Sequence, residues 1–280
     1  WGIRGTLEGM YTKTLNNIRY QDLGLKKTSE IVYPSGEVRP VYSRQEGNKY
    51  SNLILLSNSN KGYSYNITAT LSKDFGHGLD ASIAYTFGES KVANDGLSSQ
   101  AASNWKYNYS TDINGDEFYY SNFDMRHRFV GQLNYRIEYA KHFATTIGLI
   151  YNGQSGPRYS ILSYTDLNGD GERNDLAYLP EKATTDKRSA MSYEDFLAKN
   201  PDIAAYKGKI VPRNALMAPF IHKFDLHFAQ DFFLQVSGKR HTLQLNADII
   251  NLGNLLNRGW GMEPYVNYSS ITPISGANSD

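Results

Sequence analysis

Strict alternation of apolar and polar side chains along several segments is the feature that most constrains the fold of this chain. In the clearest segment the apolar residues are Tyr63, Tyr65, Ile67, Ala69 and Leu71, and the residues between them are all polar. Because successive side chains of a strand point to opposite faces, this period of two predicts a strand with one apolar and one polar face. The alternation resumes after a short break at 75–78, so the two segments are predicted to pair as a hairpin.

The same period of two recurs along much of the chain. The alternating segments after the first hairpin cover residues 128–139, 143–151, 222–232 and 241–250. An opening strand around residues 3–11 and a segment at 48–57 bring the predicted number of strands to about eight. We therefore expect an all-β, antiparallel fold.

Alternation alone fits two classes of β protein, a soluble sandwich and a transmembrane barrel, because each has one apolar and one polar sheet face. Two further features favour the barrel. The segments are close to the roughly 9 to 11 residues that cross a bilayer at a tilt, and Tyr and Phe stand near their ends, as in the aromatic girdles of outer-membrane barrels. The chain has 22 Tyr and 12 Phe, an excess that suits strands and membrane interfaces.

The predicted connections are alternately short and long. The turns near 75–78 and 140–142 are tight, whereas the connections near 90–126 and 153–221 are long. Outer-membrane barrels have this asymmetry, with short periplasmic turns and long external loops. Within the second long connection, Ser192 followed by Glu194 and Asp195 predicts the capped start of a short helix over residues 192–199.

Composition excludes several functions. The chain has no Cys, which rules out a disulfide scaffold and thiolate catalysis, and its net charge of +1 gives no reason to expect nucleic acid as a partner. It contains no apolar run of about 18 residues and its mean hydropathy is −0.53, so no helical membrane span is predicted. No Gly-x-Ser-x-Gly elbow is present, and we do not expect an enzyme, although a membrane-embedded hydrolase is a minor alternative.

The termini suggest an internal piece of a longer protein. Residue 1 is Trp, within a predicted strand and without a signal peptide before it, and the chain ends in a polar stretch at Asp280. We therefore interpret residues 1–280 as one partial barrel domain that lacks a final strand.

One loop carries a candidate metal site. Asp166, Asn168 and Asp170, followed by Gly171, match the first half of a calcium loop, in which oxygen ligands at alternate positions surround the ion. Ala177 stands where such loops place a bidentate Glu, and Asp175 is the candidate replacement. The alternative is an ordinary turn built from Asx and Gly residues on a solvated loop.

Two further features of the loops are candidate sites. A fainter calcium-like pattern consists of Asp112, Asn114 and Asp116, but Glu117 replaces its Gly. Nearby aromatic residues mixed with Asn and Ser are suited to gripping a ligand, although loop aromatics can equally pack the loop onto itself. The candidate ligand-binding aromatics are Trp105, Tyr107 and Tyr109.

Several segments together resemble the C-terminal part of the barrel of a Bacteroidetes-type TonB-dependent outer-membrane transporter. The segments that carry this resemblance are LLSNSNKGYSY at 55–65, FDMRHRF at 123–129, DLNGDG at 166–171, PRNA at 212–215 with FDL at 224–226, and DIINLGN at 248–254. The resemblance covers most of the chain, and the ordered set is far more specific than any single segment.

The resemblance implies a barrel of about 22 strands in the outer membrane of a Gram-negative bacterium, closed by an N-terminal plug that this chain lacks. It implies import of a nutrient ligand with energy from the inner-membrane TonB complex, which would act through the missing plug. The expected partners are outer-membrane lipid, the rest of the barrel, the plug, TonB and, in some members, a surface lipoprotein. The alternative function is that of an outer-membrane or secreted β-rich adhesin that binds without transport.

Overall fold

The fold is a single large antiparallel sheet with a folded layer of connections at one end. In this computed structural model the described residues are 2–47, 49–183, 191–264 and 269–271, the last three by backbone alone. The elements in chain order are β1 Ile3–Lys13, β2 Asn17–Asp22, β3 Leu25–Val32, β4 Val38–Arg44, β5 Ile54–Ser59, β6 Gly62–Gly76, β7 Leu79–Val92, α1 Ala101–Lys106, β8 Tyr119–Tyr120, β9 His127–Tyr139, β10 Phe143–Gln154, β11 Arg158–Tyr159, β12 Ile161–Ser163, α2 Tyr193–Lys199, α3 Pro201–Ala204, β13 Leu216–Met217, β14 Ile221–Val236, β15 Lys239–Ile249, α4 Gly253–Leu256 and β16 Ser269–Ile271.

Seven long strands make up the main sheet, in the order β1-β6-β7-β9-β10-β14-β15. The short β8 pairs with the C-terminal end of β7. The register keeps most apolar side chains of the seven strands on one face, with exceptions such as Met10 and Ile150, which pair with Asn66 and Gln132 of the polar face. One row across the sheet runs from Leu133 to Leu149, Leu226 and Ile249. The alternation predicted for each strand is therefore in phase across the whole sheet, because a one-residue slip would have sent a strand's apolar residues to the other face.

The apolar face of the main sheet is exposed in the isolated chain. Leu7 is 75% exposed, Leu133 44% and Ile147 47%, although each lies on this face. Among the described residues no second sheet covers it, since the other four sheets have only two strands each. An uncovered apolar face of this extent excludes a soluble sandwich core and is typical of a surface that contacts lipid.

Aromatic rings form two rows on the apolar face, one near each end of the strands. The row at the long-connection end includes Tyr85 packed against Phe129, and Tyr151 packed against Phe224. The row at the tight-turn end includes Tyr139 and Phe232, which flank Phe143. Phe143 and Tyr151 stand eight residues apart on β10, roughly 26 Å along the strand, or about 20 Å along the membrane normal at the usual tilt, so the two rows fit within the apolar band of about 25 Å of a barrel.

The main sheet is open within the described residues, because β1 and β15 form its two edges and do not pair with each other. Each edge strand is 11 residues long. Unpaired edges of this length do not persist inside a bilayer, where every backbone hydrogen bond has to be satisfied. Further strands are needed to close the wall.

One strand prediction was only partly right. Residues 49–53 are not in a strand, and the strand in this region, β5, begins at Ile54 and pairs with the short β2 instead of joining the main sheet. The whole stretch 14–61 is a third long connection, which contains β2 to β5. The sequence did not reveal this because small hairpins inside a loop have the same period of two as the long strands.

The other connections agree with the sequence analysis. The long connections run from 93 to 126 and from 155 to 220, and the tight turns join β6 to β7, β9 to β10 and β14 to β15. The helix predicted at 192–199 is α2, and the Ser192 hydroxyl oxygen accepts a hydrogen bond from the Asp195 N–H at 3.0 Å, as expected for an N-cap. No helix in the described part of the chain is long and apolar enough to cross a membrane.

Candidate functional site

The described residues of the three long connections, within 14–61, 93–126 and 155–220, pack together into one folded unit, which we call the loop layer. Its interior consists of three clusters of buried side chains. The largest contains Ile161, Leu179, Tyr193, Val211 and Leu216, and another joins Leu25 and Tyr42 of the first connection to Trp105 and Ile113 of the second. The layer is therefore a structured surface at the long-connection end of the sheet, and it is the candidate functional site.

Buried polar residues join the three connections. Tyr42 is an example, since its N–H donates to the Asn168 carbonyl at 2.6 Å and its hydroxyl donates to an Asp112 carboxylate oxygen at 2.5 Å. Burial, followed by the hydrogen bond to Asp112, raises the pKa of Tyr42, which keeps the phenol protonated as a donor. One residue thus joins all three connections, through its backbone N–H and its hydroxyl group.

Asp22 organises the first connection. Its carboxylate is fully buried and accepts hydrogen bonds from four groups: the N–H of Gly24, the N–H of Leu53, the Asn52 amide and the Arg44 guanidinium. Burial is the largest single influence on the carboxyl and raises its pKa, but the hydrogen bonds together outweigh burial. The pKa of Asp22 therefore lies below its ordinary value of 3.8.

This lowered pKa predicts acid sensitivity of the loop layer. A carboxyl with a depressed folded-state pKa stabilises the fold above its unfolded-state pKa, and the stabilisation is lost as the pH falls through the folded-state value. We expect protection of the first connection from hydrogen exchange to fall as the pH drops below about 4. Asp22→Asn should cost about 1–3 kcal/mol at neutral pH and remove most of this pH dependence. The exposed control Asp202→Asn should change neither, and an unchanged acid response in Asp22→Asn would contradict the assignment.

The predicted ligand-binding aromatics are in different environments. Trp105 is only 1% exposed, and its indole N–H donates to the Asn114 side-chain oxygen at 3.1 Å, so it is part of the core between the first two connections. Tyr109 packs partly buried against the third cluster. Tyr107 alone is open to solvent, with 59% of its surface exposed, and the Lys106 ammonium lies over its ring. In this conformation only Tyr107 is placed to contact a ligand.

The faint calcium-like pattern has a structural role at its centre. The Asn114 side-chain oxygen accepts from the Asp22 N–H at 2.8 Å, and its amide donates to the Asp22 carbonyl at 2.9 Å. The Asn114 carbonyl also accepts from the Arg19 guanidinium. Asn114 thus links the second connection to the first and does not point away from the protein as an ion ligand.

In the loop at 166–175, side-chain oxygens accept hydrogen bonds from backbone N–H groups of the same loop. The two Asp166 oxygens accept from the N–H groups of Gly169 and Gly171 at 2.6 and 2.9 Å, and one Asp170 oxygen accepts from Glu172 N–H at 2.7 Å. Asn168, which is buried, accepts from Asp170 N–H at 2.9 Å. This is the geometry of consecutive Asx turns.

Asp175 forms a buried ion pair that the sequence did not reveal. One Asp175 oxygen accepts from the N–H groups of Leu167 and Asn168, and the other lies 3.7 Å from an Arg39 guanidinium nitrogen, with both side chains fully buried. Burial raises the pKa of Asp175, and Arg39 opposes that rise. Asp175 therefore connects the first and third connections.

The carboxylates of this loop interact with backbone N–H groups and with Arg39 in this structure. Within the ranges that the structure describes, no three His, Asp or Glu side chains converge on a point where a metal ion could bind. Arg39 also places a positive charge beside Asp175, the proposed closing ligand. Burial raises the pKa of Asp170 to about 6, and the hydrogen bond from the Glu172 N–H opposes that rise. Calcium at Asp166, Asn168, Asp170 and Asp175 stays a prediction.

A polar pocket opens between the first and second connections. Its enclosed volume is about 10 Å³, room for about one water molecule, and its walls include Arg19, Ser110, Asp112, Asp116 and Glu117. Arg213 lies behind one wall, where its guanidinium donates to the Ala93 carbonyl at 3.3 Å and to the Asn108 side chain. Arg213 is buried, and desolvation lowers its pKa. Neither Ser110 nor Arg213 was singled out as a functional residue by its sequence pattern, because only the packing of distant connections brings these residues together.

Comparison with known protein families gives a match that covers most of the chain. A family model described as an outer membrane beta barrel domain matches residues 9–274, which is nearly the whole chain. No curated protein and no solved structure matches the chain.

Proposed function

This chain belongs to the outer membrane beta barrel domain family, and we propose that it is part of a TonB-dependent receptor that binds a nutrient ligand and imports it. Membership of the family identifies the chain as an outer-membrane β-barrel domain. The import function, the dependence on TonB and an origin in a Bacteroidetes-type Gram-negative bacterium are the proposal. The observation that carries it is a structured, polar loop layer on an open sheet that needs more strands to close.

The loop layer supports a binding function. Its interior is packed and its polar groups are joined across three connections, so it presents a surface of fixed shape. Binding sites are commonly built from loops that a rigid scaffold positions. Under this proposal the layer faces the outside of the cell, where a nutrient first meets the receptor.

Two of the segments that resemble the transporter family, 123–129 and 212–215, lie where the loop layer meets the sheet. Asp124 forms a buried ion pair with Arg158 at 2.5 Å. Asn214 donates to the Tyr120 carbonyl at 2.8 Å and to the Asn122 side chain at 3.0 Å. These motif residues fix the base of the second and third connections, and a role in holding the external loops explains why the resemblance concentrates there.

The polar sheet face suits the inside of a barrel that holds other polar protein. On it, the Arg136 guanidinium lies 2.8 Å from one carboxylate oxygen of Asp231, and the other oxygen accepts a hydrogen bond from the Gln244 amide. The Asn134 amide donates to the Asp80 carboxylate. Charged residues of this kind line the lumen of barrels and are costly in lipid. A plug domain contributed by the rest of the polypeptide is the partner that we propose for this face.

The direct test is a binding measurement with TonB. The native polypeptide that contains this sequence is purified from outer membranes, its intact mass is measured, and it is passed over the immobilised periplasmic domain of TonB. We expect a mass several-fold above 31.6 kDa and retention on TonB. A mass near 31.6 kDa, with no retention and no copurifying plug, would support the adhesin instead.

The proposed orientation is tested by cysteine labelling of intact cells, with the unsubstituted protein as the background control; residues 1–280 contain no Cys. Glycines of the turns are poor labelling positions, since a Cβ at Gly169 would lie 2.5 Å from the Tyr42 carbonyl oxygen. Ser51, exposed in the first connection, and Ala140, exposed in a tight turn, are better. A membrane-impermeant maleimide should label Ser51→Cys and spare Ala140→Cys, and the reverse pattern would overturn the orientation.

Binding and transport, with no catalytic step, complete the proposal. Calcium at the 166–175 loop is a separate proposal, which titration of the purified protein with CaCl2 and with a chelator tests. A surface lipoprotein partner is likewise proposed only from the family resemblance.

A further inference from the structure

Two lysines stand on the apolar face of the main sheet, beyond its aromatic row at the long-connection end. Lys13 of β1 is directly opposite Tyr63 of β6, and Tyr63 is directly opposite Lys91 of β7, so the three side chains share one face. Lys91 pairs in turn with Tyr120 of β8. Adjacent strands lie about 4.8 Å apart, which puts the backbones of the two lysines roughly 10 Å from each other.

Aromatic rings hold the Lys91 side chain in place. Its ammonium lies 4.6 Å from the centre of the Tyr120 ring and 6.0 Å from the centre of the Phe118 ring. Phe118 also contacts Tyr63 edge-on, with 6.3 Å between the ring centres. An aromatic face attracts a cation but does not neutralise it, so these contacts position the ammonium and leave its charge available.

The charges in this region do not cancel. The Arg126 guanidinium lies over the Tyr120 ring at 5.3 Å, and it forms an ion pair with Glu89 at 2.8 Å. No carboxylate among the described residues forms an ion pair with Lys13 or Lys91. Two positive charges therefore remain uncompensated. We call this region the rim patch, and it consists of Lys13, Tyr63, Lys91, Phe118, Tyr120 and Arg126.

The position of the rim patch corresponds to the headgroup region of a bilayer. On the same strands and the same face, Lys13 lies two residues beyond Tyr11, and Lys91 lies four residues beyond Phe87. Aromatic girdles mark the boundary between hydrocarbon and headgroups, so the lysines lie about 5 to 10 Å outside that boundary once strand tilt is included. Lipids whose chains cover the apolar face therefore place their headgroups against the rim patch.

We propose that the rim patch binds the phosphate group of a lipid in the outer leaflet of the outer membrane. The ammonium groups of Lys13 and Lys91 donate charge-assisted hydrogen bonds to the phosphate oxygens, and the exposed Phe118 ring contacts the rest of the headgroup. The acyl chains of the same lipid continue along the apolar face. The inference rests on the proposed function only for the orientation, because external long connections place the rim patch in the outer leaflet.

The test is native mass spectrometry of the full polypeptide, purified in detergent and titrated with lipid A or with dephosphorylated lipid A. We expect the phosphorylated lipid to bind at least about tenfold more tightly. Lys91→Gln should weaken its binding about fivefold, and Lys13→Gln with Lys91→Gln about twentyfold or more. Lys239→Gln is the matched control, because Lys239 is exposed on the same face at the tight-turn end, and this variant should bind as the wild type does.

A second variant keeps the charge and tests its role directly. Lys91→Arg should bind lipid A as tightly as the wild type, because the guanidinium also lies over an aromatic ring and also donates to phosphate. Equal binding of the two lipids, or a loss in Lys239→Gln as large as in Lys91→Gln, would overturn the inference.

Inorganic phosphate distinguishes a lipid site from a general anion site. We expect inorganic phosphate to leave lipid A bound when the two are at equal concentration, and displacement would overturn the assignment to lipid. Retention on TonB without a preference for the phosphorylated lipid would refute this inference alone. A preference for the phosphorylated lipid without retention would refute the receptor and leave the rim patch intact.

Discussion

Replacement of Leu133 by Arg should destabilise the membrane-inserted protein by about 2–4 kcal/mol. Leu133 lies on the apolar face at the middle of β9, between the two aromatic rows, and pairs with Leu149 of β10 and Ala81 of β7. An arginine at this depth places a guanidinium in hydrocarbon, where it has no water and no counter-charge. The free energy of unfolding is measured by denaturant titration of the protein folded into lipid vesicles.

The neighbouring residue provides the control. Gln132 precedes Leu133 on the same strand but lies on the polar face, and Gln132→Arg introduces the same side chain. We expect this variant to unfold within about 0.5 kcal/mol of the wild type. If the two variants were destabilised equally, or if Gln132→Arg were the worse, the assignment of the apolar face to lipid would be wrong.

Removal of the buried charge at Arg39 should unfold part of the loop layer. Arg39→Met leaves the Asp175 carboxylate buried without its counter-charge, and breaking a buried pair in this way costs about 3–5 kcal/mol. The Leu176 carbonyl also loses the hydrogen bond that Arg39 donates. We expect amides of residues 161–179 to exchange with deuterium far faster than in the wild type, while the amides of β9 and β10 keep their protection.

The double variant Arg39→Met, Asp175→Asn separates the charge effect from lost packing. The Asn oxygen still accepts from Leu167 and Asn168, and neither buried charge remains, so at least half of the lost stability should return. Glu30→Gln, which breaks the exposed pair of Glu30 with Lys27, should cost less than about 0.5 kcal/mol. A double variant as unstable as Arg39→Met would show that the pair acts through packing and not through charge.

The long strands could be predicted because their signal is local. In β6 and β7 each residue's side of the sheet follows from its position in the sequence, and the tight turn at 77–78 specifies which strand pairs with which. The helix α2 was predicted for the same reason, since its Ser192 cap lies next to the residues it caps. The segment 48–57 was misassigned because its period of two does not tell whether a strand crosses the membrane or lies in a loop.

The candidate site was less predictable, because its residues come together over long distances in the chain. Trp105 looked like a ligand-binding aromatic and is buried between two connections, and Asp175 looked like a calcium ligand and pairs with Arg39, 136 positions earlier. Ser110 and Asp116 line a pocket together with Arg19 of another connection. Neither residue type nor spacing along one segment contains this information.

The sequence by itself determined that the chain is a β protein with one apolar sheet face, and it located the tight turns and most of the long connections along the chain. It also determined that several segments resemble a family of outer-membrane transporters. These properties follow from side-chain periodicity and from turn and cap residues, which act over a few positions. Only the tertiary structure decided that the apolar face has no protein covering it, that three connections form one packed layer, and which polar atoms remain unpaired. Burial and pairing depend on the whole chain, because a side chain is buried by residues from distant segments.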